Sequence, residues 1–580
     1  MTIKKIITLV IIIILMSITQ AISAEAVYTN ENADSNVIAE AKNNNIAFDI
    51  KGSKSAVGKT NYINLIMPYG SDIKNVAVTF SDGSVESFDL TNPVEISVKS
   101  STTNSLRTYT LRAAVSDLPA FHINIDESKG KISDMNRSGG HNVYCYGEYS
   151  LTMLDNEVIS GTLSMRGRGN ATWGLEKKPY QIHLDEKADL LGMGDAKTWN
   201  LLANHGDRSL LRGKVVYDMA HEIDVKYAVD TEYVDVFMNG EYIGNYLLTE
   251  KVQVNENRVE ITEKGYLIEY DTRGEGERYN FRAPLTNQNV VIKEPDIVSD
   301  ELFNEVKDYI IDMENAIAAI DGINDKGKHY SEYMDVESSL KLYWLNEITK
   351  NGDYGMGSTF YFKDYDTILT AGPPWDYDII IANATANFGA PTRPKNENLA
   401  STTGWWLRMV NEKSDENTSV SIQRHLFKHE DYRLASVDLY FSTIREAMFN
   451  MLDNVRTQEE FLQNSATLNF MRWSVLEEGH TWQTPNTATT YKGEVNFVYN
   501  FLSERMDWID RTMLAEYEDF YGHPYNEIPP VAEETQNNTD SEVETEPVSD
   551  TLSFNIFFVI IPAVVVIAGA AVFVIVRRKR

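Results

Sequence analysis

Two short acidic stretches are the part of this sequence best suited to chemistry. The first runs Asn351-Gly352-Asp353-Tyr354-Gly355-Met356-Gly357-Ser358, and the second is Trp375-Asp376-Tyr377-Asp378. An acid that comes after a helix-ending Asn-Gly and before a glycine-rich turn lies on a loop, where side chains meet ligands. The second pair sits in a tight aromatic turn led by Pro373-Pro374. Hard carboxylate oxygens of this kind suit Mg²⁺, with water and phosphate completing the shell. Asp353 and Asp376 are 23 positions apart, and a strand hairpin between them would let both acidic sites converge on one divalent ion. The competing reading makes Asp353 an exposed turn residue and Trp375 to Asp378 a solvated β-turn. Spacing alone leaves both open.

The elements around these stretches alternate between two periods. Phe121, Ile123 and Ile125 share one face of a strand, and the chain stays strand-rich to about Pro295. Within it, Val234 to Leu248 reads as a hairpin centred on Asn239-Gly240, the pair that a type I′ turn prefers because both residues accept positive φ. Gly265 to Tyr270 and Asn289 to Lys293 are predicted strands. After Pro295 the period becomes helical: Leu302, Val306, Tyr309, Ile310, Met313 and Ile317 recur at three- and four-residue steps. Val336 to Lys350 is a second predicted helix, N-capped by Asp335. Further helices are predicted from about Val420 to Leu476 and from Tyr491 to Leu514. A strand-rich lobe (120–295) followed by a helix-rich lobe (296–520) is an α+β arrangement with a cleft expected between them.

Upstream, residues 41–115 read as a small β-sandwich of immunoglobulin type. Val76 to Phe80 alternates with a two-residue period, Ser81-Asp82-Gly83-Ser84 is turn chemistry, and Arg107 to Leu111 alternates again. Such a module suits a spacer or adhesive element. The two ends predict export and anchoring. Lys4-Lys5, an apolar run from Ile6 to Met16 broken only by Thr8, and the small residues Ala21, Ser23, Ala24 and Ala26 compose a secretory signal over 1–26, with cleavage after Ala26 or Ala24. Residues 528–550 are an acidic stretch too poor in apolar side chains to offset chain entropy, and are expected to form a disordered linker. Phe554 to Val576 carries no charge, and at ~1.5 Å per residue spans ~34 Å, enough for a single transmembrane helix. The basic tail 577–580 (Arg577, Arg578, Lys579, Arg580) places that end in the cytoplasm. The expected topology is therefore single-pass type I in the cell membrane, with the bulk extracytoplasmic.

Charge and cysteine usage narrow the function classes. With 53 basic and 85 acidic residues, the net charge of −32 argues against nucleic acid and against an anionic membrane surface as partners. Cys145 is the only cysteine, so the chain holds no internal disulfide and no thiolate metal cluster. Its ten histidines include no HExxH-type zinc spacing.

Several stretches, in order, resemble the spore coat protein H (CotH) family of atypical secreted protein kinases over roughly Phe121 to Leu514. They are Arg166-Gly167-Arg168-Gly169-Asn170, Lys177-Lys178-Pro179-Tyr180, Trp199-Asn200-Leu201-Leu202, Asp207 to Arg212, the Asn239-Gly240 hairpin ending in Leu247-Leu248-Thr249-Glu250, and Trp375-Asp376-Tyr377-Asp378. The resemblance implies a bilobal kinase-like fold that binds ATP with Mg²⁺ or Mn²⁺ and phosphorylates Ser or Thr hydroxyls of surface or coat proteins. Asp353 would then be the catalytic-loop acid that accepts the hydroxyl proton. Asp376 would be the metal-binding acid, with Asp378 beside it. Ser358, five residues after Asp353, stands where ordinary kinases carry a metal-binding Asn. Lys178 first and Lys177 second would reach the phosphates, with Lys293 and Arg212 also available. Arg166 to Asn170 would form a phosphate-cradling glycine loop, and Glu250, at the end of its strand, would lie near the nucleotide base or simply cap the hairpin. Two other classes compete: a catalytically weak or inactive scaffold or adhesin used in surface or coat assembly, and a carbohydrate-active enzyme using paired acids beside Trp375 and Tyr377.

Overall fold

The computed structural model describes residues 27–29, 37–43, 46–57, 59–99, 105–384, 399–408, 421–478 and 484–525. The signal segment 1–26, the acidic linker 528–550, the apolar stretch 554–576 and the tail 577–580 lie outside the described residues. Among the described residues, no helix is long and apolar enough to cross a membrane.

Alternating apolar residues build a closed barrel from β1 (Ala120–Ile125), β2 (Cys145–Thr152), β3 (Val158–Gly167), β4 (Tyr180–Asp189), β5 (Asp195–Leu202), β6 (Thr231–Met238) and β7 (Glu241–Glu250). The order is β5-β4-β3-β2-β1-β6-β7, and β5 pairs with β7 as well as β4, which joins the two edges. Only β1 and β6 run parallel. Closure leaves no free edge among these strands and gives every second side chain a place inside. Phe121, Leu163, Ile182, Trp199, Leu201, Val234 and Leu248 fill that interior. The β6–β7 turn is Asn239-Gly240, both with positive φ (49° and 81°), as its residue types predict.

The N-terminal strands form two sheets around a shared core. One holds Thr60–Met67, Leu106–Val115 and Val94–Lys99, and the other holds Ile46–Lys51, Ile38–Asn43, Val76–Thr79 and Val85–Phe88. The second sheet continues directly from β7 through the pairing of Glu241 with Lys51. Strand Ile38–Asn43 begins before the expected boundary at 41. The core of this module also takes in Phe237, Tyr242 and Leu468 from the rest of the molecule, so the module is packed into the barrel rather than set apart as a spacer.

A separate five-stranded sheet crosses the lobe border expected at 295/296. Its strands are β8 (Tyr266–Asp271), β9 (Asn280–Arg282), β10 (Asn289–Glu294), β11 (Thr359–Lys363) and β12 (Thr370–Ala371), in the order β9-β10-β8-β11-β12. The Phe360-Tyr361-Phe362 run of β11 is buried on both faces and pairs with β8, which draws this segment out of the helical part.

The helices that bear on the site are α1 (Arg212–Glu222), α2 (Asp300–Ala318), α3 (Val336–Ile348), α4 (Arg445–Arg472) and α5 (Tyr491–Tyr521). Ser299 caps α2 by accepting from Leu302 N (3.1 Å), and Asp335 caps α3 by accepting from Ser338 N (3.2 Å). Helix α3 is buried nearly all round and sits inside the core with Leu340, Leu342, Trp344, Leu345 and Ile348 enclosed. One charge goes in with it. Glu347, 0% exposed, pairs with Arg505 of α5 at 2.6 Å and accepts the backbone N–H groups of Trp406 and Leu407, each at 2.6 Å. Arg505 also donates to Gly404 O (2.8 Å) and Glu347 O (3.1 Å). Removing one partner leaves the other charge buried alone, which costs about 3–5 kcal/mol. Arg505→Ala is therefore expected to destabilise the protein by about that amount, read as a lower urea midpoint, whereas Arg511→Ala on the exposed face is expected to leave it within about 0.5 kcal/mol.

Candidate active site

Helix α3 ends just before the first acidic stretch, and the Asn351 side chain organises the turn beyond it. Its Nδ2 donates to Asn346 Oδ1 (2.9 Å) and Asp376 O (3.3 Å), while its Oδ1 accepts from Asp353 N (2.9 Å) and Tyr354 N (3.3 Å). One amide thus ties both acidic stretches to the end of α3. Gly352 N donates to Ile379 O (2.8 Å), and Trp406 Nε1 donates to Asn351 O (2.8 Å), so the turn is held from both sides.

Asp376 adopts a left-handed backbone (φ 68°), as does Ser358 (φ 53°). Such conformations persist in non-glycine residues where neighbours fix them. Here Ser358 Oγ donates to Asp376 Oδ2 (3.1 Å), and Ser358 N donates to Glu269 Oε1 (2.9 Å). Glu269 in turn pairs with Lys293 Nζ at 3.3 Å. Beneath the turn, the Tyr217 ring of α1 meets Tyr377 edge-on at 5.4 Å and Trp375 at 6.2 Å. Asn383 Nδ2 donates to Asp378 O (2.9 Å), and Arg212, paired with Asp207 at 2.5 Å, donates to Ile381 O.

These residues open onto a cleft of about 440 Å³, whose lining includes Arg166, Arg168, Asp353, Ser358, Asp376 and Asp378. Glu269, Arg273 and Trp375 complete the wall nearest the acids. Burial and the neighbouring Asp376 push the Asp378 carboxyl up to about 7, against a downward pull from Arg168. Among the described residues, no group of three His, Cys, Asp or Glu side chains is arranged to hold a metal by itself. The acids fit a divalent ion that draws its remaining oxygens from phosphate and water.

The structure brings Asp353, Asp376, Asp378, Ser358 and Arg166 together, and it places the other predicted residues elsewhere. Lys177 is buried and donates to Ala203 O (2.8 Å), Asn469 Oδ1 (2.9 Å) and Asn245 O, which uses its three N–H groups inside the protein. Lys178 donates to Trp173 O (2.7 Å) and lines a separate hollow of about 310 Å³ at the barrel mouth, beside Lys51 and Arg472. Glu250 pairs with Arg258 at 2.5 Å and accepts from Asp230 N (3.1 Å), so it secures the end of β7 rather than meeting the cleft. Arg212 is taken up by Asp207. Two cleft residues, Arg168 and Glu269, have no role of their own in the expectations from sequence. Arg168 sits in the glycine-flanked segment and Glu269 in the predicted strand Gly265 to Tyr270. Their signals are an arginine enclosed by glycines and a lone acid in an otherwise apolar strand.

A family model described as CotH kinase protein matches residues 165–509. The chain belongs to the CotH kinase family. The match begins one residue before Arg166 and ends within α5, so it contains both acidic stretches, Asn351 and the Glu347–Arg505 pair. The N-terminal module, β1, β2 and most of β3 precede the CotH match, although β1 to β3 belong to the same closed barrel. No curated protein matches the chain.

The raised Asp378 carboxyl has a consequence for stability. The folded state holds this proton up to about pH 7 whereas the unfolded chain releases it near the ordinary value of 3.8, so between these limits the folded state binds more protons and stability falls as pH rises. In metal-free protein, Asp378→Asn removes this loss. Its thermal midpoint is expected to gain on the wild type progressively from pH 4 to pH 7; a gap that stays constant across that range would show that Asp378 titrates normally.

Proposed function

We propose that the chain is an extracytoplasmic, membrane-anchored protein kinase that transfers the γ-phosphate of ATP to Ser or Thr hydroxyls of surface or coat proteins. The observation that carries this reading is the meeting of Asp353, Asp376 and Asp378 in one cleft whose lining also bears arginines. Phosphoryl transfer is mostly positioning and charge neutralisation, and this arrangement offers both. Asp353 accepts the proton of the incoming hydroxyl as its oxygen bonds to the γ-phosphorus. The bond from that phosphorus to the bridging oxygen breaks, and ADP leaves with the electron pair. Asp376 and Asp378, with Ser358 beside Asp376, hold Mg²⁺ or Mn²⁺, which supplies neutralisation of phosphate charge when bound. The Asn351 amide keeps the two acidic stretches in register, so the proton acceptor and the metal side move as one body.

The predicted signal at 1–26, the linker 528–550, the span 554–576 and the tail 577–580 support an anchored, outward-facing location. The N-terminal two-sheet module is read as immunoglobulin-like, packed against the barrel. A second reading, a binding scaffold without turnover, is favoured by Ser358, which engages Asp376 where ordinary kinases place a metal-binding Asn.

The two readings separate on nucleotide binding and labelling of the full chain in detergent. With ATP and Mg²⁺ or Mn²⁺, the kinase reading expects metal-dependent thermal stabilisation and phosphate transfer to an added protein. Asp376→Ala is expected to lose both. Asp353→Asn is expected to keep metal-dependent ATP binding and to lose about 10²–10⁴-fold in transfer rate, the range for removal of a general base. Folded protein that neither binds ATP nor transfers phosphate would leave the scaffold reading.

A further inference from the structure

Every lysine proposed for the phosphates is committed elsewhere. Lys177 is enclosed by three acceptors, Lys178 faces the barrel mouth, and Lys293 is paired with Glu269. The cations that line the cleft are arginines. Arg166 is held by Gln181 Oε1 (2.8 Å) and Asn142 Oδ1 (3.4 Å), and Arg273 is largely exposed and leans toward Asp271 at 3.7 Å. Arg168 differs from both. It is half-buried, its guanidinium makes no hydrogen bond to a described residue, and it lies over the Trp375 ring at 5.4 Å, in the field of Asp376 and Asp378.

Its backbone is fixed with unusual care for a loop residue. Arg168 N donates to Pro179 O (3.2 Å). A Cβ at Gly167 would run into the Trp173 ring, so that ring packs closely against the chain immediately before Arg168. Gly169 immediately after it takes φ +82°, and a Cβ there would meet the Thr172 hydroxyl. The glycines therefore serve to seat Trp173 and turn the chain, and they leave Arg168 at the cleft with a guanidinium that gives no hydrogen bond to a described residue.

Resting on the kinase reading, we propose that Arg168 is the residue that grips the β- and γ-phosphates, and that the Arg166-Gly167-Arg168-Gly169-Asn170 segment is a mount for this guanidinium rather than a backbone cradle for phosphate. A planar fork of N–H donors matches two phosphate oxygens at once, which an ammonium does not. Seated on Trp375, next to the acid that holds the metal, it brings positive charge to the phosphates beside Asp376 and Asp378. Without nucleotide, those two carboxylates balance the guanidinium. With a polyphosphate bound, the same donors turn to its oxygens.

The test is calorimetric titration of the full chain with tripolyphosphate, ATP and AMP in the presence of Mg²⁺, beside phosphate-transfer rates. Arg168→Met is expected to weaken tripolyphosphate and ATP by about 10–100-fold, the loss of charge-assisted hydrogen bonds, while AMP binding stays unchanged. Transfer is expected to fall about 10²–10³-fold, and the thermal midpoint of the free protein to hold. Arg168→Lys should recover part of the tripolyphosphate affinity. Gly169→Ala, which keeps the guanidinium but displaces it, should also weaken tripolyphosphate; wild-type affinity there would overturn the mount. If Arg168→Met binds tripolyphosphate like the wild type while the wild type transfers phosphate, the kinase reading stands and Arg168 is not its phosphate clamp. Wild-type protein that binds neither ATP nor tripolyphosphate would remove the kinase reading, and the inference with it. Should Arg168→Met fail to fold, Arg168→Lys and Gly169→Ala carry the same comparison.

Discussion

The buried pair of Glu347 and Arg505 is the constraint on which the rest of the helical part depends. A buried helix such as α3 packs its apolar side chains readily in a core, but apolar packing alone tolerates rotation and sliding. A charge placed on it can be buried only where a partner waits, so the pair sets the depth and rotation of α3 against α5. The same carboxylate accepts the N–H groups of Trp406 and Leu407, and Trp406 returns a hydrogen bond to Asn351 O. Asn351 in turn fixes Asp353 and reaches Asp376. A single ion pair is thus linked in three short steps to the spacing of the acids in the cleft.

Much of this was legible in the sequence, and the part that was not has a common cause. The type I′ turn at Asn239-Gly240, the cap at Asp335 and the convergence of Asp353 with Asp376 all depend on residue types within short stretches of chain. Barrel closure does not, because β5 must choose β7 across a long stretch of intervening chain. Lys178 and, after it, Lys177 were the lysines expected to reach phosphate. The acceptor that removes Lys177 is Asn469 on α4, 292 positions away. Glu269 is a single acid in an apolar strand, and its direction became clear only once β8 was paired with β11 on one side and β10 on the other. Local rules brought out the acids that line the cleft; distant packing decided which cations line it with them.

The cleft also runs against the electrostatics of the whole chain. A net charge of −32 repels polyphosphates at long range, yet the lining gathers Arg166, Arg168 and Arg273 around acids that a divalent ion would neutralise. The overall sign therefore governs which large partners approach, while the local sign governs which ligands can settle in the site. These two scales need not agree, and here they differ.

The shared core between the N-terminal module and the barrel bears on how the chain reaches its folded state. Phe237, Tyr242 and Leu468 belong to the same apolar cluster as Ile63, Val78 and Leu111. A polypeptide delivered from its N-terminus presents the module first, with the wall that should cover it still missing. The hairpin supplies part of that wall, and Leu468 arrives only near the far end of the folded region. Contacts so widely separated along the chain form late and slowly. The module would therefore wait, incomplete and reliant on protection from premature association, until the last helices come to shut it.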